Sequence, residues 1–122
     1  MPHITYEASA TLAQTIDWRG LMTETHHAVA ATGHAVIGDL KSRMIHTAAH
    51  LAGDDPSAEF VIARLTTTKP RPDEARHAIA RIIHEKLEAA ILAAKPDIWW
   101  QAGVIDEQVV PTDYIKSGRK PV

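Results

Sequence analysis

The stretch between Pro72 and Pro96 constrains the fold more than any other part of the chain. Its apolar residues Ala75, Ala78, Ile79, Ile82, Ile83, Leu87, Ala90, Ile91 and Ala94 recur at intervals of three and four. That is the period of a helix with one apolar stripe, held over about five turns. Pro72 suits the first turn, Asp73 and Glu74 favour the positive end of the helix dipole, and Pro96 stops the run. A helix with a single apolar face needs a second layer to bury it. The flanking segments supply one. Glu59 to Thr68 carries Phe60, Val61, Ile62 and Leu65 followed by β-branched threonines, and Ile98 to Val110 is extended around Trp99, Trp100, Val104 and Ile105.

The first half repeats this order. Residues Pro2 to Ala8 alternate, with Ile4, Tyr6 and Ala8 on one side and His3, Thr5 and Glu7 on the other, which predicts a half-buried strand. After a polar connection over Ser9 to Thr15, Asp17 caps a helix whose stripe reads Trp18, Leu21, Met22, Thr25, Ala28 and Val29, ended by Gly33. Val36 to Leu51 reads as extended but irregular, and Gly53-Asp54-Asp55-Pro56 as a turn. The expected fold is α+β: two consecutive βαβ units forming a four-stranded sheet with two helices on one face. Residues 1–110 form a single domain in this reading. Residues 111–122 form a polar C-terminal tail that packs loosely or against a neighbouring subunit.

With 122 residues, 45% of them hydrophobic, the chain builds one core and not two. A formal net charge of -2 gives no electrostatic footprint for nucleic acid or an anionic membrane, which favours a small-molecule or protein partner. There is no cysteine, hence no thiolate nucleophile and no disulfide framework. The N-terminal residues lack a basic segment followed by an apolar one, so a cytoplasmic location is expected.

Several residues can carry chemistry. Methionine aminopeptidase tolerates proline at position two, so removal of Met1 would leave Pro2 as a secondary amine, a group whose basicity falls in apolar or cationic surroundings. Proline is common there, so Pro2 alone says little. Lys41 and Arg43 are two apart on an extended segment and share a face, while Arg71 stands where strand gives way to helix. Three converging cations would hold a carboxylate and offset charge on an enolate oxygen, although any one of them alone reads as solvated rim. The histidines His26, His27, His46 and His50 form no HExxH pattern and have no acidic partner, so no metal site is expected. Trp99 and Trp100 read as core or interface.

Met1-Pro2-His3 before an alternating strand, Ala31-Thr32-Gly33, Lys41-Ser42-Arg43 and an arginine opening the second helix together resemble the 5-carboxymethyl-2-hydroxymuconate isomerase family of the tautomerase superfamily. The resemblance runs from Pro2 to about Val110. It implies Pro2 as catalytic base, Arg43 and Arg71, with Lys41, as substrate-binding residues, and no metal or organic cofactor. The substrate would be a small carboxylated enol or 2-oxo acid from aromatic-compound degradation, and the assembly a homotrimer. Lys41 stands where family members often carry a second arginine, which keeps the charge and loses the planar fork. Thr67-Thr68-Lys69-Pro70 replaces a glycine-rich stretch, and the two tryptophans imply a reshaped pocket wall. Two other readings share this scaffold. One is another tautomerase-superfamily activity, a decarboxylase or a dehalogenase, the latter asking Glu7 or Glu59 to activate water; the other is a non-catalytic trimeric binding or scaffold protein in which Pro2 is incidental.

Overall fold

The structure is a computed structural model and describes residues 1–121; Val122, the end of the expected tail, lies outside the described residues. Strand β1 (Pro2–Ala8) is followed by a short helix α1 (Ala10–Thr15), a longer helix α2 (Trp18–Ala31) and strand β2 (Lys41–His46). Strand β3 (Glu59–Thr67), helix α3 (Asp73–Ala94) and strand β4 (Trp100–Gln108) make the second unit. The strands lie in the order β2-β1-β3-β4. β2 runs parallel to β1 and β4 parallel to β3, while β1 and β3 are antiparallel at the centre. The sequence pattern thus becomes two βαβ units joined edge to edge, with both crossovers covering the same face.

The alternation in β1 produces the core directly. Ile4, Tyr6 and Ala8 are fully buried, as are Val61, Ala63 and Leu65 opposite them on β3. Ile79, Ile83, Leu87 and Ile91 of α3 and Leu21 and Val29 of α2 close over this face. Lys95 in the left-handed conformation, donating its N–H to the Ile91 carbonyl at 3.1 Å, ends α3 immediately before Pro96. Gly33, with φ of +80°, follows the last turn of α2, where a side chain would be strained. The opposite sheet face is open and carries His3, Thr5, Glu7, Lys41, Arg43 and Arg64 among others.

Two segments differ from the sequence reading. The polar connection Ser9 to Thr15 contains α1, which lacks a side-chain cap of its own. Its first turn is held by Glu59, whose Oε1 accepts from the Ser9 hydroxyl at 2.9 Å and from the Thr11 and Leu12 amides at 2.8 and 3.2 Å. The expected extended segment over residues 36–51 is a strand only from Lys41 to His46, preceded by a 3-10 turn at Ile37–Asp39. β1 ends at Ala8, and the Thr47 amide donating to the Ala8 carbonyl at 3.0 Å is the last rung available. Beyond it β2 has nothing to pair with, and Ala48 and Ala49 do not favour extension.

Candidate active site

Pro2 begins β1 opposite Thr67, and its ring turns toward the helical layer with Ile4 and Tyr6. Met1, joined to the Pro2 nitrogen, is only 4% exposed. Its carbonyl accepts from the Thr68 hydroxyl at 3.0 Å, and its sulfur lies 3.5 Å from the Tyr114 hydroxyl. The surrounding cavity, about 290 Å³, is lined by Asp39, Thr68, Lys69, Tyr114 and Lys116 as well as by Met1. The Met1 amino group is held below its ordinary basicity, first by burial and then by the positive charges of Arg71 and Lys69, with Asp39 opposing them and Lys116 adding the least.

A second cavity of about 260 Å³ lies on the open sheet face and shares Thr68 and Tyr114 with the first. His3, Arg43, Thr66 and Asp113 complete most of its wall. Both terminal nitrogens of the Arg43 guanidinium lie 3.4 Å from His3 Nδ1, and His3 Nε2 lies 3.1 Å from the Tyr114 hydroxyl. The His3 and Tyr114 rings meet edge to face at 5.6 Å. Burial lowers the His3 pKa, and Arg43, the N-terminus, Lys41 and Lys116 push it further the same way, so the imidazole is neutral at neutral pH. A larger hollow of about 420 Å³ lies against the outer flank of α3 and Val104, away from Met1 and Pro2, and collects no comparable set of cations.

The three expected anchors therefore do not converge on one point. Lys41 and Arg43 share the open face, in register with His3 and Thr5, as their spacing requires. The Lys41 ammonium donates to the Gly38 carbonyl at 2.7 Å. Arg71 sits on the other flank, beside the Met1 amine, donating from Nε to the His34 carbonyl at 3.1 Å. Arg43 thus lines one of two cavities that meet at Tyr114 and Thr68, while the charge of Arg71 acts on the Met1 amine in the other.

Other expected participants lie elsewhere. Glu59 stands at the far end of β3, roughly 25 Å from Thr67 at the usual rise per residue. Burial raises its carboxyl pKa, but the hydrogen bonds from Thr11, Ser9 and Leu12 outweigh this and keep it below the usual range. It is a helix cap. Glu7 lies between Ile45 and Ile62 on the open face, also far from Pro2. Trp99 and Trp100 lie at the Glu59 end of the sheet, so within the chain they do not form the pocket wall expected of them. His50 stacks edge-on to Phe60 at 6.0 Å, and His46 ends β2.

The sequence reading missed His3, Thr68, Lys69, Tyr114 and Lys116 as site residues. Tyr114 is the sole aromatic residue of the segment after Val110, and that isolation was the available signal. A 3-10 turn at Pro111–Asp113 brings it back across the sheet to His3.

Two βαβ units on one four-stranded sheet, with Pro2 opening a central strand, make the tautomerase-like α+β fold. The family model for 5-carboxymethyl-2-hydroxymuconate isomerase matches residues 2–96, and the chain belongs to that family. Among solved structures, a 5-carboxymethyl-2-hydroxymuconate isomerase from Deinococcus radiodurans R1 superposes with a TM-score of 0.82 at 18% identity, covering 97% of this chain and 90% of that one. A 5-carboxymethyl-2-hydroxymuconate delta-isomerase gives 0.75 at 12% identity over 99% and 89%. A fused 4-OT protein described as a symmetric trimer gives 0.63 at 15% identity over 92% and 91%. No curated protein sequence matches the chain. The family and fold make the protein an isomerase of the tautomerase kind.

Proposed function

We propose that the protein, once Met1 is removed, uses the Pro2 amine as general base to move a double bond in a small carboxylated 2-hydroxydienoate or 2-oxo acid. Methionine removal during synthesis precedes folding, so the burial of Met1 in the folded chain is no obstacle. The observation that carries this reading is that Lys69 and Lys116 line the cavity around Met1, the residue joined to the Pro2 nitrogen, with the charge of Arg71 acting on the Met1 amine as well. The same field and burial would lower the basicity of a Pro2 amine one residue further along. The amine takes the proton of the substrate's 2-hydroxyl group and returns it to a distant carbon, and the conjugated double bond shifts between. No electrons leave the substrate, so no cofactor is needed.

Arg71 holds the carboxylate next to the reacting carbons, and Arg43 with Lys41 holds a second anionic group in the adjoining cavity. The assembly is a homotrimer, supported by the trimeric 4-OT relative and by Ile45 and Ile105, which lie exposed on the open sheet face. The test is intact mass of the purified protein followed by an ultraviolet assay with 2-hydroxymuconate and phenylenolpyruvate. Loss of Met1 with enol conversion is expected. A Met1-free protein that converts neither compound would remove this reading.

A further inference from the structure

Met1 occupies the space in front of the Pro2 nitrogen, and two hydroxyl donors hold it there: Thr68, 6% exposed, on its carbonyl oxygen, and Tyr114 on its sulfur. Met1 is covalently attached to the nitrogen proposed as base. The atoms it presents to these donors therefore lie where a substrate's oxygens must come to exchange a proton with that nitrogen.

The direction of the Tyr114 proton follows from its neighbours. Arg43 has donors only, so the His3 Nδ1 facing it at 3.4 Å is an acceptor and carries no proton. The ring proton of neutral His3 is then on Nε2, which donates to the Tyr114 oxygen at 3.1 Å. The Tyr114 oxygen accepts from one side, and its own proton turns the other way, toward Met1.

Building on the Pro2 reading above, we propose that the Tyr114 and Thr68 hydroxyls hold the substrate's enol oxygen during double-bond migration, and that His3 and Arg43 position Tyr114 as a donor. Thr68, on the atom nearest the nitrogen, meets the 2-oxygen as it loses its proton. Tyr114 donates alongside it, countering the charge that grows there. Tyr114 and Thr68 are thus catalytic residues in the strict sense of touching substrate, and His3 is a positioning residue.

The test uses Met1-free protein verified by mass, with 2-hydroxymuconate as the probe. Tyr114→Phe keeps the ring and removes the donor; its kcat is expected to fall about tenfold to a hundredfold with little change in KM and no change in melting temperature. Thr68→Val, equal in shape, is expected to show a loss of the same kind. His3→Ala should lose activity in the same direction, and His3→Gln, which keeps a donor toward Tyr114, should recover most of it. If Pro2→Ala is impaired while Tyr114→Phe and Thr68→Val match the parent, the inference is overturned and the Pro2 reading stands. If Pro2→Ala matches the parent, the Pro2 reading fails and the inference falls with it.

Discussion

At the level of single residues the molecule separates charge left without an ion-pair partner from charge tied into the fold. Arg43 makes no ion pair among the described residues and lies against the His3 ring in a cavity that Thr66, Asp113 and Tyr114 also line. Arg43→Ala is therefore expected to raise KM for a dicarboxylated enol about tenfold, roughly 1.4 kcal/mol, while barely affecting an enol that lacks the second carboxylate. An equal loss on both would contradict the anchoring role, and steady-state kinetics on the pair decides it. Glu59 is the opposite case, a carboxylate spent wholly on structure. Glu59→Ala leaves the Ser9 hydroxyl and the Thr11 and Leu12 amides without their acceptor and should cost about 2–3 kcal/mol in urea denaturation. Its folded pKa lies below its ordinary 4.5, so its contribution is complete above that pH and fades as pH falls through the lower folded value. The variant should lack that part of the acid dependence. The residue scale was also where the sequence was partly readable: same-face placement of Lys41 and Arg43 follows from strand period alone. The contact between His3 and Tyr114 spans 111 positions, and no local pattern encodes it.

Elements with a sustained period were legible, and those fixed by distant partners were not. β1, α2, β3, α3 and β4 follow from apolar spacing and from Asp17, Gly33 and Pro96 as boundaries. α1 did not, because six polar-leaning residues carry no clear period and their cap comes from β3. The sequence pattern over-extends β2 because its end is set by where β1 stops, a tertiary fact. The C-terminal segment shows the functional side of the same limit. Its polar composition reads as a tail, yet Pro111, Tyr114 and Lys116 line the cavity around Met1. Truncation after Val110 keeps the final sheet contact, the Val109 amide on the Thr67 carbonyl at 2.9 Å, so the sheet and helices should remain by circular dichroism. Turnover should fall at least as far as in Tyr114→Phe. Retention of full activity would show that the segment has no part in the site.

For the molecule as a whole, the helical layer protects one sheet face and leaves the other open, with Ile45 and Ile105 nearly half exposed and both edge strands unpaired on one side. Association of copies covers such a face, and the proposed homotrimer should sediment at three times the 13.4 kDa chain mass; a monomer at micromolar concentration would contradict it. Within one chain Thr68 and Tyr114 line both cavities, with Met1 and Lys69 on one and His3 and Arg43 on the other, so association would add cover to a constellation present in the single chain. The account rests most heavily on the Pro2 nitrogen, and its most direct test is the turnover of 2-hydroxymuconate by mass-verified Met1-free Pro2→Ala beside the parent protein. Loss of a general base predicts a fall of about a hundredfold or more with the fold intact. Turnover equal to the parent would show that the base is elsewhere.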